Sequence, residues 1–482
     1  MFPLLALFAA CSNQEQQAAS TQPATSMMYE KMNLPTPTVK AVPKELSIHG
    51  DTRIDEYYWL NERENPEVIA YLNSENDYRE QMTSHTKAFR DKLFEEIKGR
   101  VKQDDTSVPY KENGYFYLTR YETGKEYPIY SRKKGSLGAP EEIMLDANVL
   151  AKPYKYYAVG GRAVSSNNKI LAYGEDTLSR RIYTILFKDL ETGKMLKDKI
   201  PNTSGGAVWA NDNQTVFYSV KDASLRAYKI YRHRLGTPAS QDVEIYHEKD
   251  ETFGVGIGKT KSKKYLVIAS YQTVSTEFRY LDANDPEGAF KVIQPRERDH
   301  EYMADHYGDS WYIRTNWNAK NFRLMKTPEG KTGKENWTEV IAHREDVLIE
   351  GMELFSKYLV LEERQNGLLR LRVKPWQGGE EHYVDFGEEA YTVFPTSNYD
   401  FDTDLIRVNY TSLTTPSSVY DYNMQTRKLT LLKEQEVVGD FDKDNYHTER
   451  LYATARDGVK VPISLVYRKG FKKDGTAPLL LY

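Results

Sequence analysis

Cysteine is almost missing from this chain of 482 residues: Cys11 stands alone, so the folded body carries no disulfide and no Cys-based metal site. No apolar run is long enough to span a bilayer. Net charge is −4 with Lys and Arg spread along the chain, and no basic block suggests a nucleic-acid partner. The nine His are dispersed, and His300-Glu301 has no second His four positions on, which excludes the helical zinc-protease pattern. The nucleophile turn of serine hydrolases, G-x-S-x-G, occurs nowhere; Gly135-Ser136-Leu137-Gly138 and Ser204-Gly205-Gly206 have the wrong spacing and are expected in blade loops. Two other motifs miss. Gly258-Lys259-Thr260 would need a Gly at position 253 to cradle phosphate, and Phe253 sits there. Asp400, Asp402 and Asp404 open like a calcium loop, but Leu405 and Thr411 occupy the positions that need Gly and Glu. His49 is read as a packing and hydrogen-bonding residue. Neither a metal nor a cofactor is expected.

What is abundant is tyrosine, 37 residues, with 29 Gly and 20 Pro, a composition that favours strands and turns. From residue 108 to about 435 the pattern is strand and turn, with no convincing helix. Seven strand pairs recur: 115–119 with 128–130, 169–173 with 182–187, 215–219 with 228–232, 265–269 with 278–281, 310–314 with 322–325, 358–362 with 369–373, and 404–410 with 418–422. The period, roughly 40 to 50 residues, is that of a four-stranded propeller blade. Seven such units could close a ring and leave no long sheet edge. The fold class expected is mainly β: a seven-bladed β-propeller over residues 106–438.

Two helices are predicted before it. Asn65-Pro66-Glu67 combines an N-cap, a proline at the first helical position and an acid against the dipole. Val68, Tyr71, Leu72, Glu75, Tyr78 and Met82 then keep a helical period, and Phe89, Leu93 and Ile97 mark a second helix ending near Arg100. Residues 41–105 form this helical segment. Upstream, residues 2–10 are apolar, and Leu7-Phe8-Ala9-Ala10-Cys11 resembles a bacterial lipoprotein cleavage box. Residues 12–40, rich in Gln, Ala, Ser, Thr and Pro, suit a flexible tether. Residues 1–40 are therefore read as a lipoprotein-type signal and tether with Cys11 as the lipidation site. The expectation is a periplasmic or outer-membrane lipoprotein, whose contact with a membrane is through that anchor; the alternative is a cytoplasmic protein.

The end of the chain is the most informative. Val459, Val461, Ile463, Leu465 and Tyr467 alternate with outward residues after an Asp457-Gly458 turn, and Pro478-Leu479-Leu480-Leu481-Tyr482 reads as the start of a buried strand. These segments, with Glu449-Arg450-Leu451 and residues 453–467, resemble the opening of the hydrolase domain of the oligopeptidase B branch of the prolyl oligopeptidase family of serine peptidases. Residues 48–60, Lys125 to Tyr130, Val208 to Asp212, Glu277 to Leu281 and Leu413 to Pro416 resemble the same family in the same order.

The resemblance implies that residues 439–482 begin a truncated α/β-hydrolase domain, on which the N-terminal helices pack. It implies a serine-type endopeptidase that hydrolyses short peptides after Lys or Arg through an acyl-enzyme, with the propeller excluding folded proteins by size. Catalytic Ser, Asp and His are expected downstream of Tyr482, so none is assigned within this chain, which alone is expected to be inactive. Rival readings are a secreted propeller binding module or pseudo-enzyme and, within the family, a prolyl-specific oligopeptidase or an esterase. Short peptides are the expected partners, and the oligomeric state is monomeric or open.

Overall fold

Wherever the apolar alternation runs between residues 110 and 434, the chain folds back on itself as an antiparallel meander. The computed structural model describes residues 34–482, which divide after Gly99 into two units. In the first, strands Lys44–Ile48 and Asp51–Asp55 pair around a turn in which His49 and Gly50 take φ of 52° and 79°. His49 is exposed there, so the expectation that it packs is corrected: a two-residue turn turns its side chain outward. Helix α1, Pro66–Met82, starts as its sequence predicts, with the Asn65 side chain accepting the Glu67 N–H at 2.9 Å. Helix α2, Lys87–Gly99, follows.

The second unit is built from six successive sheets and a C-terminal hairpin. Sheet 1 runs from Tyr110–Glu112 to Glu141–Asp146, and sheet 2 from Ala158–Val164 to Val243–His247. Sheet 3 runs from Gly254–Lys259 to Lys291–Gln294, and sheet 4 from Tyr302–Tyr307 to Thr338–Ile341. Sheet 5 runs from Val347–Leu354 to His382–Tyr383, and sheet 6 from Tyr391–Pro395 to Lys428–Glu434. Five of these are separate four-stranded blades, not the seven the repeat predicts, and sheet 2 has seven strands. The two predicted units around residues 169–187 and 215–232 share one 15-residue strand, Met195–Trp209. Its first part pairs with Tyr183–Asp189 and its last part with Thr215–Lys221. It bends where Asn202 and Gly205 adopt φ of 59° and 96°. Ser204-Gly205-Gly206 therefore lies inside this strand and not in a loop. Glycine is required at the bend: a Cβ on Gly205 would sit 2.7 Å from the Tyr183 ring, and one on Gly161 2.7 Å from Gly206 Cα. One α-helical turn, α3 (Ala147–Leu150), capped by Asp146, and short 3-10 turns at Ala239–Gln241 and Lys334–Asn336 interrupt the stretch expected to lack helix.

Sheets 1 and 6 close the ring without sharing a strand. Arg407 donates to the Pro109 carbonyl at 2.6 Å, Lys433 to Asp105 and to the Thr106 carbonyl at 2.6 Å, and Lys111 pairs with Asp400 at 2.9 Å. The core lies between neighbouring sheets. Trp311 is fully buried, with the Tyr265 and Tyr280 rings of sheet 3 at 5.0 and 5.1 Å. Val360 and Val373 of sheet 5 pack with Val393, Ile406 and Val408 of sheet 6. Burying side chains of this size supplies about 1.5–3 kcal/mol each.

Beyond sheet 6, Tyr446–Thr454 and Lys460–Arg468 form the alternating hairpin the sequence predicts. Leu451, Val461, Ile463 and Val466 on it are exposed. Residues 478–482 form no strand, contrary to expectation, because no neighbouring strand pairs with them. Among the described residues, 439–482 form this two-stranded hairpin and no α/β-hydrolase layer.

Candidate functional site in the axial channel

The first strand of each blade faces the ring axis, where space is short. Glycines accordingly recur there: Gly160 and Gly161, Gly205 and Gly206, and Gly254, Gly256 and Gly258. Between them stand charged side chains that meet across the axis. Lys261, just past the first strand of sheet 3, pairs through Nζ with Glu353 of sheet 5 at 2.7 Å. Its backbone N–H donates to Asp305 of sheet 4 at 3.0 Å. Burial pushes the Asp305 carboxyl up to about 6, against the opposing hydrogen bonds from the His306 and Lys261 amides. Burial likewise pushes Glu362 up to about 7, helped by Glu353 and Glu350. Glu362 lies against Gly351, where a Cβ would collide with its carboxylate.

A cavity of about 370 Å³ opens on this axis, with Glu112, Arg162, Trp209, Lys259, Lys263 and Tyr399 in its wall. Sheets 1, 2, 3 and 6 all contribute. Arg162 carries its guanidinium 3.7 Å from the Tyr130 ring centroid. Lys259 donates to the Asn211 side-chain oxygen at 2.7 Å. Burial, and then the neighbouring Lys263, push its ammonium down to about 8. Glu112 is raised by burial, which outweighs the nearby Lys263.

Strand direction locates this cavity. A four-stranded meander returns the chain to the end at which it entered, so residues 100–109 and 435–446 lie at one end of the ring. Asn113, Ser165, Ser166 and Lys263, which also line the cavity, are in turns that follow first strands. The cavity is therefore the mouth at the opposite end.

Cys11 lies outside the described residues. The near-miss motifs have structural places. Gly254–Lys259 is a first strand paired with Tyr265–Gln272. Asp400 pairs with Lys111, Asp402 accepts the Ser356 hydroxyl at 2.7 Å, and Asp404 pairs with Lys357 at 3.1 Å, so the three carboxylates do not converge. His300 bonds to the Thr315 hydroxyl at 2.9 Å. Among the described residues no group of three potential ligands could hold a metal.

One arrangement escaped the sequence reading. Ser262, His306 and Glu329 form a hydrogen-bonded chain, with Ser262 Oγ 2.9 Å from His306 Nδ1 and His306 Nε2 2.5 Å from Glu329 Oε1. These are triad residue types, but their role here is structural. His306 is buried against Tyr265 and Trp311, and Ser262 Oγ is already engaged by Thr260 and the Lys264 amide, so each polar atom of the chain has a structural partner. No sequence signal marks it, because the three residues come from separate turns and strands.

A family model described as "Prolyl oligopeptidase, N-terminal beta-propeller domain" matches residues 37–435. The chain is 44% identical over 454 residues to dipeptidyl aminopeptidase BI of Pseudoxanthomonas mexicana, a match covering 90% of this chain and 62% of that protein. It is 33% identical to protease 2 of Moraxella lacunata, covering 92% of this chain and 65% of the relative. Its fold superposes on oligopeptidase B from Leishmania major with a TM-score of 0.83 at 29% identity, covering 91% and 66% of the two chains. The chain thus spans less than two thirds of the length of these relatives. With four-fifths of its residues under the family model and its propeller shared with a solved member, this chain belongs to the prolyl oligopeptidase family, of which it carries the N-terminal β-propeller.

Proposed function

We propose that this chain is the propeller part of a serine oligopeptidase that hydrolyses short peptides after Lys or Arg through an acyl-enzyme. The observation that carries the reading is its similarity, over nine-tenths of its own length, to oligopeptidase B in both fold and sequence. The propeller contributes steric selection. Its blades leave a narrow, charged axial space that an extended peptide fits and a folded domain does not. No residue of this chain is assigned to attack or proton transfer; Ser, Asp and His are placed downstream of Tyr482, after the hairpin of residues 446–468.

The test is an assay of the complete gene product on N-blocked peptide amides with Arg, Lys or Pro before the scissile bond. Cleavage after Arg and Lys, abolished by a serine-directed acylating inhibitor, is expected, and residues 1–482 alone should show none. Cleavage after Pro would move the protein to the sister branch; turnover by residues 1–482 alone would mean catalytic groups within them.

A second reading is favoured by one observation, the 44% identity to a protein named dipeptidyl aminopeptidase. On that reading a free amino terminus is required, and blocking it should stop cleavage. Comparing free and blocked forms of one Arg-containing peptide separates the two. Anchorage through Cys11 is part of the same proposal: Cys11→Ser should release the protein from the membrane fraction, and a soluble wild-type protein with Met1 retained would refute it.

A further inference from the structure

Three cations, Arg162, Lys259 and Lys263, converge on the mouth of the axial channel farthest from the two chain linkers. Lys259 and Lys263 come from the end of the first strand of sheet 3 and the turn after it, and Arg162 from the first strand of sheet 2, so the packing of the two sheets brings Arg162 to the lysines. None of them pairs with a carboxylate among the described residues: Arg162 stacks on Tyr130, and Lys259 has the neutral amide of Asn211. Nearby cations do have partners: Lys261 pairs with Glu353, and Lys111, on the other face of its strand, with Asp400. Among the described residues Glu112 is the one carboxylate lining the cavity, so the charge facing it there is an excess of positive groups. Asn113, Ser165, Ser166 and Asn168 add neutral hydrogen-bonding groups on the same wall. Lys259 pays for the crowding: burial and Lys263 push its ammonium well down, and an anion in the cavity would reverse that.

We propose that this mouth is a binding site for the terminal carboxylate of a short peptide, held by Arg162, Lys259 and Lys263. A carboxylate satisfies the fork of an arginine and the point charges of two lysines at once. The mouth's volume, about 370 Å³, admits one or two residues behind that carboxylate and nothing folded. A peptide held here by its carboxyl end would point its amino end into the channel, toward the end where the linkers lie. The site thus favours short chains with a free carboxyl terminus over internal segments of long ones. Glu112, beside the cations, disfavours ligands with an acidic side chain next to that terminus.

This inference rests on the reading of the chain as a peptidase component, but its test does not use cleavage. Titration calorimetry of the full chain with acetyl-trialanine as the free acid and as the amide compares the two ends directly. The free acid should bind about tenfold more tightly, the scale of one or two charge-assisted hydrogen bonds. In the double variant Arg162→Gln, Lys263→Gln the two forms should bind alike. Both side chains are exposed to the channel, so the variant should fold; its unchanged far-UV and thermal profile is the control. Equal binding of acid and amide to the wild type, or a preference that survives in the variant, would overturn the proposal. So would binding of inorganic phosphate with no binding of either peptide, which would make this an anion site of another kind and leave the cleavage assay to judge the peptidase reading separately.

Discussion

His233 shows how a single buried side chain can tie a sheet together. It has no solvent exposure, and its ring bridges Asp242 at 2.6 Å and Asp198 at 3.2 Å; Asp242 also accepts the Tyr218 hydroxyl at 2.8 Å, and the Phe187 ring stacks alongside. Burial alone would lower its pKa, but the two carboxylates together outweigh burial and raise it. A raised histidine adds stability that is complete below its unfolded value, about 6.5, and is lost as pH rises through the folded value. Thermal unfolding of the wild type should therefore weaken relative to His233→Gln as pH is taken from about 6 to 8. Parallel pH curves for the two proteins would refute the clamp. Glu362 shifts stability in the same direction by the same rule, but as a penalty that grows above its unfolded value. Its carboxyl, raised to about 7 by burial, holds a proton in the folded state that the unfolded chain has released. Stability should fall as pH climbs from about 4.3 towards 7, and Glu362→Gln should recover about 1–2 kcal/mol at pH 8 while changing little at pH 4, after allowance for solvent screening. Denaturant titrations at the two pH values check this.

At the scale of elements, the bent strand Met195–Trp209 is where local pattern and actual pairing part. The repeat of alternating residues is correct on both sides of it, and each half does pair as a strand should. What the pattern does not carry is the absence of a loop between the halves. Close backbone approach holds the bend: a Cβ on Gly174 would collide with the Gly205 carbonyl and sit 2.7 Å from Gly205 Cα. Gly174→Ala should cost about 1–3 kcal/mol by overpacking, read as a lowered urea midpoint with unchanged slope. A neutral effect would mean that the bend relaxes freely. The helices, by contrast, follow from their caps. Asn65 and Pro66 start α1 where a reading of the residues alone puts it.

On the scale of the whole molecule, the ring is closed by side chains and not by a strand contributed from the other end of the chain. Arg407 makes a two-point pair with Asp421 at 2.8 and 3.0 Å and reaches across to the Pro109 carbonyl. Both partners of the pair are mostly buried, so Arg407→Ala leaves a carboxylate without its cation. A loss of about 2–3 kcal/mol is expected. Hydrogen exchange should quicken in sheets 1 and 6 before sheet 4, because the chain runs on from sheet to sheet at the other junctions but not from sheet 6 to sheet 1. Uniform acceleration around the ring would show that the seam is no weaker than the other junctions.

The sequence by itself determined the strand periodicity, the two N-terminal helices, the family, and the want of any serine-hydrolase turn, all of which rest on spacings within a few residues of one another. It also read Asp400, Asp402 and Asp404 as an ordinary turn, since a failed spacing is as local as a satisfied one. Tertiary structure alone decided the fusion of two units into sheet 2, because whether a strand ends or bends depends on the backbone it meets, here Gly174 and Tyr183. It alone assembled Ser262, His306 and Glu329, and it alone gathered Arg162, Lys259 and Lys263 at one mouth of the channel. Ser262, His306 and Glu329, and likewise Arg162 and the two lysines, are separated along the chain by tens of positions, and they meet only when one sheet packs against the next.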